Sequence, residues 1–157
     1  MATEVTVQLV TDSAKATEAF GERLGGRLRG GEVIELSSDL GGGKTTLVRG
    51  LARGAGSQDV VSSPTFTVSK EYDCGRLRIY HFDFYRLPEA GIVAQELAEV
   101  VEDNSAVIVV EWSDVVRDVL PADRLRISIS RVATGEDHRQ LDITATPGLA
   151  YLLEGEA

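Results

Sequence analysis

Cysteine is almost missing from this chain: Cys74 is the only one in 157 residues, which excludes an internal disulfide and any cysteine-built metal framework. It falls in a predicted turn and has no functional reading. Long apolar runs are missing as well. The longest, residues 106–110, is strand-sized and far short of the roughly 20 residues that a membrane-spanning helix needs, so no membrane association is expected. Residues 1–10 hold Glu4 and Gln8 and lack a basic start followed by an apolar stretch. No secretory signal is read there, and the expected location is cytoplasmic. Bases are scarce: 16 Lys and Arg stand against 25 Asp and Glu, a net charge of -9. That balance argues against direct grip on DNA or RNA, so any RNA role is expected to run through a partner. Between Glu89 and Asp118 eight acids face Arg117 alone. The plain reading of such a stretch is a solvated face, and the functional one is a docking surface for a basic partner.

What is present reads as one folded domain over residues 1–157. Apolar residues make up 43% and charged residues 26%, the balance of a soluble globular chain rather than a disordered or fibrous one. Val5, Val7 and Leu9 alternate with polar neighbours, predicting a strand over 4–10. Ser13 then caps a helix whose apolar positions are Ala16, Ala19, Phe20 and Leu24, with Gly25-Gly26 as its stop signal. A short strand over 32–37 runs into the glycine-rich segment 38–46, and a helix is expected from there to about residue 55. Segments 67–72 and 76–82 flank the turn residues Asp73-Cys74-Gly75 and predict a hairpin. Pro88 opens a helical region through Val101. The continuous apolar run 106–110 has the pattern of a strand buried on both faces of a parallel sheet. Segments 124–132 and 138–145 alternate and are expected to pair antiparallel near a sheet edge. The last residues are expected to fray. The predicted fold class is therefore α/β, a P-loop NTPase-like, mainly parallel sheet with antiparallel hairpin additions and helices on both faces.

The chemistry concentrates in Ser38-Asp39-Leu40-Gly41-Gly42-Gly43-Lys44-Thr45-Thr46, set between a strand and a helix. In such a loop, backbone N–H groups wrap phosphates, glycines admit close backbone approach, and the helix N-terminus adds partial positive charge. On that reading Asp39, Leu40, Gly41, Gly42 and Gly43 line the phosphates, and Lys44 bridges the β and γ phosphates. The Thr45 hydroxyl holds Mg²⁺, and Thr46 reaches the α phosphate. Ser38 stands where the full pattern has its first glycine. An acid near Mg²⁺ is expected at the C-terminal end of a neighbouring strand. Two candidates exist, Glu111 after the run 106–110 and Asp83 after the second hairpin strand; an ion pair with Arg86 is the other reading of Asp83. Ser63-Pro64-Thr65-Phe66 lies where nucleotide-sensing loops occur, which brings Thr65 into the candidate site. Trp112, next to Glu111, is placed either near the nucleotide or in plain packing. His81 alternates with Leu77 and Ile79 and reads as an interior histidine rather than a general base.

Taken in order, Leu40 to Thr46, Ser63-Pro64-Thr65-Phe66, His81-Phe82-Asp83-Phe84-Tyr85-Arg86 and Glu111-Trp112 resemble the bacterial TsaE family, also called YjeE. The resemblance implies a small ATPase that uses ATP and Mg²⁺ and works with the proteins TsaD and TsaB. Together they make the threonylcarbamoyl modification of the adenosine beside the tRNA anticodon, with tRNA met only indirectly through the complex. It carries nucleotide and Mg²⁺ roles to Lys44, Thr45, Asp83 and Glu111 and a nucleotide-responsive role to Thr65. Adenine selectivity comes from the resemblance alone. Hydrolysis is expected to be slow without the partners, because no arginine finger is readable in cis, although Arg86 could serve as one if its loop moves. Competing classes are a non-catalytic nucleotide-dependent docking module, favoured by Ser38, and a small-molecule kinase, which would need an Arg-rich lid that the sequence does not display. A regulatory GTPase would need a guanine-reading Asn-Lys-x-Asp segment, and none is present.

Overall fold

The computed structural model describes residues 3–38, 43–61, 69–84, 91–111 and 116–156, with the side chains of residues 92 and 93 excepted. The expectations placed on Asp39, Leu40, Gly41, Gly42, Thr65, Arg86 and Trp112 fall outside these residues.

Among the described residues seven strands form one sheet: β1 (Val5–Thr11), β2 (Val33–Ser38), β3 (Ser69–Asp73), β4 (Arg78–Asp83), β5 (Ala106–Glu111), β6 (Leu125–Arg131) and β7 (Arg139–Ala145). Their spatial order is β1-β7-β6-β2-β5-β4-β3. β6, β2, β5 and β4 run parallel, while β3, β7 and β1 join through antiparallel ladders. The helices α1 (Ala14–Gly26), α2 (Lys44–Gly54) and α3 (Ile92–Val101) cover the sheet, and a 3-10 helix over Pro147–Leu153 follows β7.

β5 carries the layering. Every one of its residues is buried, as its unbroken apolar run predicts. Because side chains alternate across a strand, Val107 and Val109 join the core beneath α1 and α2, where Phe20, Leu24, Leu47, Val48 and Leu51 meet Ile34, Leu36 and Ile127. Ile108 and Val110 join the opposite core, with Leu97 of α3, Val33, Phe82 and Phe84. The helices therefore lie on both faces.

Local chemistry explains where the elements begin and end. Ser13 has extended backbone, and its Oγ accepts the Ala16 N–H at 3.0 Å, occupying one of the donors that a helix start leaves unpaired. In the hairpin turn the Gly75 N–H donates to Asp73 Oδ1 at 2.9 Å, and Gly75 takes a φ of 85° that a side chain would oppose.

α1 ends at Gly26, as the Gly25-Gly26 signal predicts, but without a left-handed turn: both glycines are helical and the cap, Arg27, is right-handed. Their neighbourhood shows a different use. Gly21 and Gly25 of α1 press on the backbone of α2, and Gly50 and Gly54 of α2 press back. A Cβ at these four positions would lie 2.5, 2.1, 2.0 and 2.1 Å from Leu47 O, Leu51 O, Glu18 O and Glu22 O. β6 and β7 form the expected antiparallel pair near one side of the sheet, with β1 outside them and β2 parallel to β6 within. The alternation along β6 reports an open face. On that face Glu35, Ser37, Arg126, Ser128, Asp142 and Thr144 border a concavity of about 540 Å³.

The C-terminal end is tied down rather than frayed. Glu156 accepts from Arg23 Nε at 2.9 Å and Nη2 at 3.0 Å and pairs with Arg27 Nη2 at 2.9 Å. Tyr151 donates its hydroxyl to Glu32 at 2.5 Å, and its ring lies under the Arg29 guanidinium at 3.9 Å. No helix among the described residues is long and apolar enough to cross a membrane.

Candidate active site

Parallel pairing brings the C-terminal ends of β2, β5 and β4 to one edge of the sheet, the edge at which open α/β sheets hold ligands. β2 ends at Ser38, where the glycine-rich segment leaves; β5 ends at Glu111 and β4 at Asp83. The register places Leu36 opposite Glu111 and Glu111 opposite Asp83. By alternation Glu111 follows Val107 and Val109 onto the face covered by α2, and Asp83 follows Ile79 and His81 onto the same face.

α2 starts at this edge. Its cap, Gly43, sits at φ 107°, a left-handed conformation that favours glycine, and its carbonyl accepts the Leu47 N–H at 3.1 Å. Lys44, Thr45 and Thr46 form the first turn, all half-buried. The positive end of the helix dipole thus lies at this edge.

Lys44 reaches across to β5. Its Nζ lies 3.1 Å from Glu111 Oε1, with only 11% of the lysine side chain and 4% of the glutamate side chain exposed. The second carboxylate oxygen, Oε2, is bonded to His81 Nε2. Burial pushes the Glu111 carboxyl up, but the His81 hydrogen bond and the His81 and Lys44 charges outweigh it and hold it below the usual carboxylate range. Glu111 is therefore ionised, and each of its oxygens is engaged by a different element.

His81 is fully buried, as its alternation with Leu77 and Ile79 implies, yet it is not a plain core residue. Its bond to Glu111 draws it into the site, a role the sequence reading missed. Its Nδ1 has no hydrogen-bond partner among the described residues. Nothing in the local pattern could have shown the contact, because it depends on β4 lying beside β5.

Arg139 is the other residue that sequence reasoning missed. The turn between β6 and β7 arrives at the same sheet edge, and Arg139 Nε lies 3.8 Å from where a Gly43 Cβ would stand. Its Nη1 donates to the carbonyls of Glu136 and His138 at 2.8 and 2.9 Å. With Ala14, Thr17, Gly43, Thr46 and Asp137 it lines a small cavity of about 30 Å³ at the start of α2. Among the candidate residues that are described, Gly43, Lys44, Thr45, Thr46, Asp83 and Glu111 all lie at this edge, and Lys44 and Glu111 touch.

A family model described as "Threonylcarbamoyl adenosine biosynthesis protein TsaE" matches residues 11–141, a span that takes in Lys44, His81, Asp83, Glu111 and Arg139. The chain belongs to the TsaE family. It is 39% identical over 133 residues to the tRNA threonylcarbamoyladenosine biosynthesis protein TsaE of Bacillus subtilis (strain 168), covering 84% of this chain and 77% of that one. The protein of the same name from Treponema pallidum (strain Nichols) is 37% identical over 129 residues, covering 82% and 95%. The crystal structure of Bacillus subtilis YdiB superposes with a TM-score of 0.78 at 31% identity, covering 98% of this chain and 95% of that one. The α/β P-loop-like architecture of this TsaE-family chain is thus shared along nearly its whole length.

Proposed function

We propose that this chain is a Mg²⁺-dependent ATPase that binds TsaD and TsaB and supports threonylcarbamoyl modification of the adenosine beside the tRNA anticodon. The observation that carries the reading is the Lys44–Glu111 pair, a half-buried lysine on the first turn of α2 and a buried carboxylate at the end of β5. Membership of the TsaE family supports the pathway, and the edge geometry supports the nucleotide.

The donor chemistry fits Mg²⁺. A threonine hydroxyl and carboxylates are hard oxygen donors, and Mg²⁺ in nucleotide sites takes one or two carboxylates and completes its shell with phosphates and water. Thr45, Glu111 and Asp83 would hold it, and it would supply charge neutralisation on the phosphate oxygens. Among the described residues no three His, Cys, Asp or Glu side chains form a metal cluster by themselves, in keeping with a site that nucleotide completes.

Lys44 exchanges its hold on Glu111 for the β and γ phosphates, and the first amides of α2 face the same charge. Water attacks the γ phosphorus, the bond to the β–γ bridging oxygen breaks, and ADP and phosphate leave. Asp83, besides its place at the metal, orients the attacking water. Arg139, beside Gly43 and Thr46, flanks the nucleotide at the start of α2. TsaD and TsaB raise the rate.

The test is ATP hydrolysis by the purified protein with Mg²⁺, alone and with TsaD and TsaB, with Lys44→Ala as control. A partner-stimulated rate that the substitution abolishes is the expected result. Nucleotide binding without hydrolysis in either setting would refute the ATPase and leave a nucleotide-dependent docking module. Phosphate transfer to a small metabolite would favour a kinase instead.

A further inference from the structure

We infer that His81 is the positioning residue for Glu111, holding its carboxylate in place when Lys44 leaves it for nucleotide phosphate. The inference rests on the nucleotide reading above and concerns how the buried acid is kept aimed.

Three observations carry it. Glu111 divides its oxygens, Oε1 to Lys44 and Oε2 to His81, so the two partners hold it from different elements. A carboxylate paired with Lys44 through Oε1 accepts at its second oxygen as well, so His81 Nε2 is the donor in this contact. His81 sits on β4, bonded along its length to β5 and buried on every side, and has no exposed route by which to swing away. Lys44 differs: its long stem roots at the first residue of α2, beside the mouth of the site.

Consider the exchange that nucleotide demands. When Lys44 Nζ turns to phosphate, Glu111 loses its bond at Oε1, and a buried carboxylate without a partner is strongly disfavoured. His81 keeps Oε2 engaged and leaves Oε1 aimed at the space that Lys44 has vacated. Without His81, the carboxylate is free to rotate once Lys44 has turned to phosphate, and its oxygen is no longer aimed at Mg²⁺. The unpartnered Nδ1 fits this division: it makes no hydrogen bond among the described residues, so the histidine's one hydrogen bond there is to Glu111.

The experiment measures AMP-PNP binding by calorimetry in Mg²⁺ and again in EDTA for wild type, His81→Leu and His81→Gln, with circular dichroism confirming the fold of each. The quantity read is the gain in affinity that Mg²⁺ confers. Partners that orient a metal ligand are worth about 10–100-fold in metal affinity, so His81→Leu should lose about that much of the Mg²⁺ gain while binding in EDTA changes little. His81→Gln, which can place an amide N–H near the Nε2 position, should recover most of the gain. A purely structural role would lower both affinities together and would show no such recovery. A folded His81→Leu protein with the full Mg²⁺ gain overturns the inference, as does a folded His81→Gln protein no better than His81→Leu.

A measurement on the wild type keeps the idea testable if the leucine variant does not fold. The Nε2–H signal of His81 in nitrogen-15 NMR should persist when Mg²⁺ and AMP-PNP are added, and its disappearance would overturn the inference. Failure of wild type to bind AMP-PNP at all overturns the nucleotide reading itself, a result distinct from any of these.

Discussion

Replacing Gly50 by alanine should destabilise the protein, although the same change in most helices does the reverse. Alanine is favoured over glycine in a helix interior by about 1 kcal/mol. Here the added Cβ would stand 2.0 Å from Glu18 O, 2.9 Å from Glu18 C and 3.1 Å from Glu18 Cα. All three are backbone atoms of α1, so no side chain can rotate aside. Restoring ordinary contact at about 3.4 Å requires α1 and α2 to part by roughly 1.4 Å at that point. Gly21, Gly25 and Gly54 meet the opposite backbone along the same seam and would open with it. A gap of 0.5–1 Å forfeits about a quarter to a half of each dispersion contact, and overpacking costs about 1–3 kcal/mol or more. With no flexible group to yield, the upper end applies. After the gain in propensity the net loss should be about 2 kcal/mol, or a melting temperature lower by about 4–8 °C for a chain of this size. Urea denaturation followed by circular dichroism measures it directly. Gly26→Ala is the control, because its Cβ would meet Gly54 O at an ordinary 3.9 Å, and it should leave stability unchanged or slightly raised. A Gly50→Ala protein as stable as wild type would refute the idea that these glycines set the helix spacing.

Other outcomes follow from the C-terminal ion pairs and from the site. The hydrogen bond from Arg23 holds the Glu156 carboxyl below the ordinary glutamate value of 4.5, with burial opposing and Arg27 assisting. Such a group stabilises the fold above the unfolded-state value, and that stabilisation disappears as pH falls through the lower folded-state value. Glu156→Gln should therefore cost about 1 kcal/mol at pH 7, since Arg23 is half exposed and screened. Denaturation curves taken at descending pH should show the two proteins converge in acid, and a difference that persists below the folded-state value would contradict the assignment. Arg139→Ala should weaken AMP-PNP binding by about tenfold, the worth of a charge-assisted hydrogen bond. Calorimetry showing wild-type affinity would remove Arg139 from the nucleotide site.

Much of this architecture was legible because it is written in local patterns. Ser13 announced a helix start by the one residue type that caps the Ala16 N–H. Asp73 and Gly75 announced the hairpin by turn chemistry, and the unbroken run 106–110 announced β5 because only a strand covered on both faces needs apolar residues throughout. What escaped depends on contacts between distant segments. Gly25 signalled the helix end but not the close contact with α2, because a glycine that ends a helix and a glycine that admits a neighbouring backbone look alike in one sequence. The alternation of β6 showed an open face but not that β2 lies beside it, since alternation says nothing of the strands to either side. The site divided in the same way: Lys44 and Thr45 follow from a glycine-rich segment before a helix, and Glu111 from the end of a buried strand. His81 could be assigned to the interior but not to Glu111, since only the β4–β5 register joins them. Arg139 had no signal at all, because the β6–β7 turn brings it to α2 across the sheet edge.

The pairing of β1 with β7 bears on how the chain is born. Gln8 donates to Asp142 across 134 residues of sequence, so β1 has its ladder partner only after that further length of chain has been made. At roughly 5–20 residues per second the ribosome takes about 7–27 s to cover that distance. Through that interval Val5, Val7 and Leu9 have no strand to lie against. The parallel centre, in which β2 waits for both β5 and β6, matures late for the same reason. Long-range closure of this kind slows folding, and it leaves the apolar side chains of β1 and β2 uncovered until their partner strands are made.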